Sequence, residues 1–253
     1  MRRIPASSSH RVRPEVPPHF IAFVRDGRML VLRDDLRAQE PSIWMNLEAL
    51  DCESMNGAGN RRGGFPIVVS DALTLFVRRA RRGGLLAYFN RDLYFGLRRR
   101  LTHEITISTE ARSRGIPVAE ALGALIEPFA FGLERGAMIT RAMAGMTLWE
   151  FLRIEDDPTV RSLVLEEARR AITLMHRGGL FHADLNLHNL FVTRSGERMT
   201  VVLLDLDKAR FYHAPLDSKL QSQNLNRLRR SAKKLDPSNR VLNAEAIKML
   251  TGD

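Results

Sequence analysis

The stretch His182-Ala183-Asp184-Leu185-Asn186-Leu187-His188-Asn189 is followed, after a short interval, by four apolar residues, 201–204, and then by Asp205. The first stretch has the spacing H-x-D-x-x-x-x-N. Phosphoryl transfer from a nucleotide needs a carboxylate that orients the acceptor hydroxyl and oxygen ligands that hold Mg²⁺. The two segments contain both kinds of group on neighbouring loops, so the pattern predicts a kinase.

Three residues of these segments are the candidates for the chemistry. Asp184 follows a predicted core helix and is expected to orient the acceptor hydroxyl, while the amide oxygen of Asn189 is expected to reach the metal. Asp205 ends a buried strand, where a carboxylate is costly unless it binds a ligand, so it is the leading Mg²⁺ ligand. The competing interpretation of Asp184 is a helix cap or a surface acid.

Other polar residues lie around these two segments. For Asp207 two interpretations stay open, namely a further contact to the metal and an ion pair with Lys208. His182 and His188 raise the alternative of a zinc site, but no third soft ligand has suitable spacing. We therefore expect His182 to support the catalytic loop through structural hydrogen bonds.

Charge is the strongest signal in the composition. The 253 residues contain 39 Lys and Arg against 29 Asp and Glu, a net charge of +10, and much of the excess is clustered at 78–82, 98–100 and 227–234. Such clusters favour a polyanion, such as nucleic acid, an anionic membrane face or a phosphorylated glycolipid. An ordinary solvated surface is the alternative for each of them. Aromatic residues are sparse within these clusters and no nucleic-acid motif is present, so no specific nucleic acid is expected.

Length and patterning limit the classes of protein. A chain of 253 residues forms one domain or a domain of two lobes. Met1 to Pro18 is a basic arm without the apolar core of a secretory signal. The most apolar window, 116–133, contains Glu120 and Glu127, so no transmembrane segment is expected. The single cysteine, Cys52, fits a reducing cytosol.

Local patterns predict strands and loops in the first half of the chain and helices in the second. Asp26-Gly27 predicts a hairpin turn, and Ser70-Asp71 predicts a turn between strands at 65–70 and 72–77. Helices are predicted at 104–114, from Asp157-Pro158 to Gly178-Gly179, and around the apolar positions Leu225, Leu228, Ala232 and Leu235.

The segment from Asn56 to Gly64 is rich in glycine and precedes the paired strands. Bare backbone N–H groups at Gly63 and Gly64 are expected to approach the phosphates of a nucleotide. A surface loop is the competing interpretation of this segment.

Several segments together resemble the lipopolysaccharide-core sugar kinases, especially the 3-deoxy-D-manno-octulosonic acid (Kdo) kinases. The matching segments are 78–84, 91–94, the region of Glu104, 182–189, 203–208 and 224–231. The resemblance implies an α+β, two-lobed, protein-kinase-like fold. A small β-rich N-lobe would occupy 19–137 and a mostly helical C-lobe 138–253, after a flexible arm at 1–18.

The resemblance also implies roles for the site residues. Asp184 would be the catalytic base or orienting group, and Asn189 and Asp205 would hold Mg²⁺ beside ATP. Glu104 falls where such kinases carry the helix glutamate that pairs with a strand lysine, and the lysine position holds Arg78. A guanidinium can bind nucleotide phosphates and Glu104, although its geometry differs from that of an ammonium group. An inactive pseudokinase is therefore an alternative.

Two features of the sequence indicate which kind of molecule accepts the phosphate: the absence of a protein-kinase motif and the presence of arginine clusters. Protein kinases carry an Ala-Pro-Glu marker after the metal-binding Asp, and it is absent after Asp205. The arginine clusters suit an acceptor with carboxylates and phosphates. We expect a sugar acceptor, which the resemblance identifies as Kdo of a lipid A-Kdo precursor. The protein is then expected to be cytoplasmic, in peripheral contact with the anionic face of the inner membrane of a Gram-negative bacterium. A core heptose kinase, an atypical protein kinase and a non-catalytic scaffold are the alternatives.

Overall fold

The computed structural model describes residues 16–54, 64–80, 93–196 and 198–252. The first lobe is built on a seven-stranded antiparallel sheet. Its strands are β1 (Phe20–Arg25), β2 (Arg28–Arg33), β3 (Gly64–Ser70), β4 (Leu73–Arg79), β5 (Tyr94–Phe95), β6 (Ala121–Pro128) and β7 (Leu133–Arg141). Their order is β1-β2-β6-β7-β4-β3, and β5 pairs with the start of β7.

Both predicted hairpins are confirmed. β1 and β2 are joined by Asp26 and Gly27, whose φ angles of 49° and 77° lie in the left-handed region. That conformation matches the twist of a two-residue hairpin turn. β3 and β4 meet at the predicted turn, with a bulge between Val68 and Ser70.

The sheet is covered by helices on both faces. α1 (Glu40–Ser54) buries Ile43, Trp44 and Leu47 with residues of β4 and β6. α2 (Leu97–Ser113) packs Leu101 and Ile105 in a second apolar cluster on the sheet. The position of α2 is therefore determined by its packing on the sheet of the first lobe.

The helices of the first half differ from the prediction. α1 occupies a region that was predicted as strands and loops, because its buried residues Ile43, Trp44 and Leu47 fill only part of one face. α2 begins at Leu97, not at Glu104, because Leu97 and Leu101 extend the buried stripe of the helix through the arginine cluster at 98–100.

The second lobe is mostly helical. Its helices are α3 (Leu148–Ile154), α4 (Pro158–Arg177), α5 (Ser218–Leu235) and α6 (Ala244–Thr251). Its strands are β8 (Gly145–Thr147), β9 (Leu180–Phe181), β10 (Leu190–Ser195), β11 (Arg198–Leu203) and β12 (Arg210–Phe211). They form two small sheets, β11-β10-β8 and β12-β9, so the second half contains short strands as well as the predicted helices.

The predicted helix before the catalytic stretch is confirmed as α4. The carboxylate of Asp157 accepts hydrogen bonds from the backbone N–H groups of Thr159 and Val160, and the helix ends at Gly178. The three- and four-residue spacing of apolar residues along this helix predicts Leu163 on its buried face, and this is wrong, because Leu163 is 52% exposed and Leu165 is buried instead. The strands β9 and β10 flank the stretch that follows α4, so this stretch lies on a packed base.

The two lobes join beside the end of β11. Leu203 donates a backbone hydrogen bond to Pro117 at 2.8 Å and accepts one from Ala119 at 3.0 Å. The α+β two-lobed arrangement is as predicted, and the proposed boundary between residues 137 and 138 lies inside β7, which continues to Arg141. Of the predicted N-terminal arm, residues 1–15 lie outside the described residues. None of the helices in the described part of the chain is long and apolar enough to cross a bilayer.

Candidate active site

A cavity of about 500 Å³ opens between the sheet and the loops of the second lobe. Phe76, Arg78 and Met138 line it from the sheet, and Asn189 and Asp205 line it from the two loops singled out in the sequence. Small-molecule sites have volumes in this range. Predicted site residues from both lobes therefore face one space of suitable size.

Arg78 connects the two lobes across this cavity. It lies near the end of β4, and its guanidinium group contacts Glu104 of α2 at 3.2 Å and Asp205 at 3.1 Å. A planar guanidinium presents several N–H groups in a fixed fork, so it can serve two carboxylates at once. The predicted pairing of Arg78 with Glu104 is present, and Asp205 shares it.

Burial and the shared cation set the charges of the two carboxylates. Burial raises the pKa of Glu104 to about 7; the charge of Arg78 opposes this shift and that of Asp205 adds to it. Burial also acts to raise the pKa of Asp205, but the charge and hydrogen bond of Arg78 outweigh it, and this pKa lies below its usual value. Asp205 is therefore ionised at neutral pH, while Glu104 is partly protonated.

The backbone at Asp205 is held in an uncommon conformation. Its φ angle is 59°, in the left-handed region that residues other than glycine seldom adopt. The preceding residue, Leu204, donates its N–H to the Asn189 carbonyl at 2.9 Å. Such conformations persist where surrounding contacts enforce them, and they cluster at functional sites. Here the contacts bring Asp205 next to the loop that ends at Asn189.

His182 ties the same two segments together. It is 1% exposed, its Nδ1 accepts a hydrogen bond from the backbone N–H of Asp184 at 3.2 Å, and its Nε2 lies 2.9 Å from the carbonyl of Leu204. Because Nδ1 is an acceptor, the proton must reside on Nε2, which donates to Leu204. Burial lowers the pKa of His182, which favours this neutral form. These two hydrogen bonds are of the kind expected for a histidine that supports the catalytic loop.

The loop from Asp184 to Asn189 is ordered by its own side chains. The amide nitrogen of Asn189 donates to the Asp184 carbonyl at 2.8 Å, and the Asn186 amide oxygen accepts from the N–H groups of His188 and Asn189. The carboxylate of Asp184 is exposed and has no hydrogen-bond donor among the described residues. It is therefore open to an acceptor hydroxyl. Asp184 is not among the residues that line the cavity, whereas Asn189, at the other end of the same loop, is.

The donor set fits a Mg²⁺ ion. The hydrogen bond from Asn189 to Asp184 uses its amide nitrogen and leaves its amide oxygen free to bind a metal. Asp205 adds an ionised carboxylate on the same cavity. Mg²⁺ is commonly bound by one or two protein oxygens together with nucleotide phosphates. Within the part of the chain that the structure describes, no three His, Cys, Asp or Glu side chains form a metal cluster.

Asp207 has a partner that the sequence did not indicate. Its carboxylate forms an ion pair with Arg100 of α2, and Lys208 is exposed. Of the two interpretations that the sequence left open, the ion pair with Lys208 is not found among the described residues, because Arg100 from the other lobe is the partner of Asp207. The second interpretation, a contact of Asp207 with the metal, stays a prediction.

Of the two glycines expected near the nucleotide phosphates, the structure describes only Gly64. Gly63 is outside the described residues, whereas Gly64 begins β3 opposite Arg78. A Cβ atom at Gly64 would come within 2.5 Å of the ring of Phe76, so the position has a packing reason to be glycine. Phosphate binding by Gly63 and Gly64 stays a prediction.

Asn224 of α5 is a site residue to which no role was assigned from the sequence. It is fully buried, and its amide nitrogen donates to the His182 carbonyl at 2.6 Å, while its amide oxygen lies 3.3 Å from Nε2 of His176. The sequence indicates this residue indirectly: Asn224 is a polar residue four positions before Leu228, so it interrupts the apolar face of the helix. α5 therefore supports the loop that carries Asp184.

The β-rich lobe, the helical lobe and the Arg78-Glu104-Asp205 arrangement between them define a protein of the kinase-like class. The chain matches the model of the Lipopolysaccharide kinase (Kdo/WaaP) family over residues 46–247, and it belongs to this family. The match includes every described candidate residue of the site.

Individual relatives agree with this assignment. The chain is 34% identical over 162 residues to a 3-deoxy-D-manno-octulosonic acid kinase of Xylella fastidiosa (strain M12), covering 63% of this chain and 61% of the relative. It is 30% identical over 154 residues to the protein of that name from Pasteurella multocida (strain Pm70), covering 59% and 62%. The alignments thus span about three-fifths of the length of these relatives. A solved structure titled "WaaP in complex with acyl carrier protein" aligns with a TM-score of 0.46 and 15% identity over 77% of each chain.

Proposed function

We propose that this protein transfers the γ-phosphoryl group of ATP to a hydroxyl group of Kdo in the inner core of a lipopolysaccharide precursor. The observation that carries the proposal is the bridge from Arg78 to Glu104 and Asp205 on the cavity wall. The loop with Asp184 and Asn189 lies beside this bridge. Phosphoryl transfer depends mainly on positioning and charge stabilisation, and these residues provide both.

In the proposed reaction each residue acts at a defined place. Arg78 binds nucleotide phosphates while Glu104 and Asp205 hold its guanidinium group. Asn189 and Asp205 hold Mg²⁺, which neutralises charge on the phosphates when it is bound. The exposed carboxylate of Asp184 accepts a hydrogen bond from the acceptor hydroxyl and takes up its proton as the hydroxyl oxygen attacks the γ-phosphorus. The bond between the γ-phosphorus and the β-phosphate oxygen breaks, and ADP leaves.

Two observations support activity over a pseudokinase. The strand cation is present as Arg78, and it contacts the helix glutamate as a strand lysine is expected to do. The proposed metal-binding groups Asn189 and Asp205 line the same cavity. A guanidinium in this position retains the charge that the phosphates require.

The acceptor is proposed from chemistry and from the relatives. The proteins named 3-deoxy-D-manno-octulosonic acid kinase match about three-fifths of this chain. The exposed side chains of Arg230, Lys233 and Lys234 on α5 make that helix a basic surface beside the loop. Such a surface suits an anionic glycolipid at the inner face of the membrane of a Gram-negative bacterium.

The proposal is tested by a transfer assay with purified protein, ATP and Mg²⁺. Lipid A-Kdo, a heptose-containing core acceptor and a generic protein substrate are offered separately, and the products are analysed by mass spectrometry. We expect one phosphate on lipid A-Kdo only, with loss of transfer in Asp184→Asn and Asp205→Asn. Asp156→Asn removes an exposed acid that has no hydrogen-bond partner among the described residues, and it serves as the matched control. Phosphate found only on the heptose acceptor or on protein would refute the proposed acceptor.

A further inference from the structure

Arg227 lies on the side of α5 that faces the catalytic loop. Two neighbours on the helix contact this loop: Asn224 donates to the His182 carbonyl at 2.6 Å, and the Ser231 hydroxyl accepts from the N–H of Leu187 at 3.3 Å. Residues three and four positions apart share one face of a helix. Arg227 is three positions after Asn224 and four before Ser231, so it lies between the two contacts and beside the loop that carries Asp184.

The guanidinium group of Arg227 has no acceptor in the described part of the chain. Its Nε is buried, with no hydrogen-bond partner. Arg229, on another face of the same helix, donates to Asn226 and Thr251. Asp184 is the acidic residue of the adjacent loop, and no ion pair joins it to Arg227, as none of the ion pairs of the described residues includes either of them. Nε is the only atom of this guanidinium group that is buried without a partner, so the terminal nitrogens remain accessible to an anionic ligand.

The position of Arg227 limits what this anion can be. The group must lie within reach of a side chain next to the loop on which the acceptor hydroxyl is activated. Arginine binds carboxylates and phosphates through paired N–H groups, with defined geometry as well as charge. An oxyanion carried by the acceptor meets both requirements, and Kdo carries a carboxylate on the same sugar as its hydroxyl groups.

We propose that Arg227 binds an oxyanion of the acceptor and thereby places the acceptor hydroxyl against Asp184. This inference rests on the proposed function and adds to it a residue that determines acceptor specificity. Arg78 and Arg227 then divide the anionic ligands between them. Arg78 takes the nucleotide phosphates in the cavity, and Arg227 takes the acceptor oxyanion on the outer side of the catalytic loop.

The test compares Arg227→Gln and Arg227→Lys with the wild-type protein in the transfer assay. Arg227→Gln is expected to raise the acceptor KM about 10- to 100-fold, as expected for loss of a hydrogen-bonded charge. The KM for ATP and the thermal midpoint should stay unchanged. Arg227→Lys keeps the charge without the paired N–H groups, and it should recover part of the loss. Lys248→Gln removes an equal charge from an exposed position on α6, to which no role in binding is assigned, and it serves as the control.

Modified acceptors identify the source of the oxyanion. The assay is repeated with lipid A-Kdo whose Kdo carboxylate is methylated, and with lipid A-Kdo stripped of its phosphates. If the carboxylate is the ligand, wild type and Arg227→Gln have equal KM values for the methyl ester. If a phosphate is the ligand, they become equal for the stripped acceptor. Variants that differ from wild type by the same factor on all three acceptors would overturn the assignment.

Direct binding separates this inference from the proposed function. Binding of the protein to lipid A-Kdo micelles is measured by co-sedimentation without ATP. Weaker binding by Arg227→Gln, but not by Lys248→Gln, supports the inference even if wild-type protein transfers no phosphate. Equal binding and equal acceptor KM for Arg227→Gln and wild type would reject it and leave the proposed function intact. A fall in the thermal midpoint of Arg227→Gln with equal loss toward ATP and acceptor would show a structural role instead.

Discussion

Arg100 and Asp207 form an ion pair that joins α2 of the first lobe to the segment after β11 in the second. Arg100 lies one helical turn before Glu104, which reaches Asp205 of the same segment through Arg78. His103 adds a third contact, from its ring Nε2 to the Ala209 carbonyl at 3.1 Å. The position of α2 is thus coupled to the proposed metal-binding segment by side chains on consecutive positions of one helix face.

The Arg100-Asp207 pair can be measured by a double-mutant cycle. Asp207 is 8% exposed and Arg100 39% exposed in their side chains, so the pair lies between the buried and surface limits. Asp207→Asn and Arg100→Gln should each cost about 1–2 kcal/mol in the free energy of unfolding, and the double variant should cost less than their sum. Lys208→Gln should have no effect within error. Denaturant unfolding gives all four values, and strict additivity would show that the pair is not coupled.

Substitution of Arg78 should show whether its fork geometry matters. Arg78→Gln leaves Glu104 and Asp205 without their shared cation, and we expect transfer to fall by more than about 100-fold, since this cation also binds phosphates. Arg78→Lys keeps the charge but cannot present a planar fork to two carboxylates, so an intermediate loss is expected. Steady-state kinetics with varied ATP provide the measurement. Equal rates for Arg78→Lys and Arg78→Gln would contradict this explanation.

Glu104 should make stability depend on pH in a recognisable direction. Its pKa rises from 4.5 to about 7 on folding. The folded state therefore binds more protons between these values, and the stability due to protonated Glu104 is lost as pH rises through about 7. Glu104→Gln cannot ionise, so its stability relative to wild type should increase between pH 5 and pH 8. Chemical unfolding at several pH values tests this, with the exposed Glu48→Gln as control. A difference independent of pH would be inconsistent with a raised pKa.

His182 should make the stability of the protein fall as pH decreases, which is the opposite of the pH dependence expected from Glu104. Its pKa lies below the ordinary 6.5 because it is buried, so the unfolded chain takes up the proton first as pH falls. Stability due to neutral His182 is complete above pH 6.5 and is lost as pH decreases toward the lower folded value. His182→Gln should weaken this dependence and cost about 1–3 kcal/mol, since two buried hydrogen bonds are disturbed. His213→Gln, at an exposed histidine, should leave the dependence as in wild type.

Much of the fold follows from local chemistry. The turn at Asp26-Gly27 and the cap at Asp157 are set by residues next to one another in the chain, and both are found as predicted. The pairing of Arg78 with Glu104 was expected from family resemblance, and the geometry contains it. The catalytic stretch and Asp205 come together because backbone hydrogen bonds join Asn189 to Leu204.

The remaining features depend on tertiary contacts that local patterns do not encode. Asp207 pairs with Arg100, far away in the chain, although Lys208 is its neighbour. α1 is stabilised by the sheet on which Trp44 packs, since its own apolar stripe is short. The unpaired state of Arg227 is visible only when α5 is placed against the catalytic loop. Sequence patterns identified the chemical groups, and packing determined their partners.

The most direct test of the central claim locates the transferred phosphate. Wild-type protein is incubated with lipid A-Kdo, Mg²⁺ and ATP labelled in its γ-phosphate, and the product is fragmented in a mass spectrometer. We expect labelled phosphate on the Kdo residue with the wild-type protein, and none with Asp184→Asn that is folded and still binds ATP. Unchanged transfer by Asp184→Asn, or label that never appears on Kdo with active wild-type protein, would contradict it.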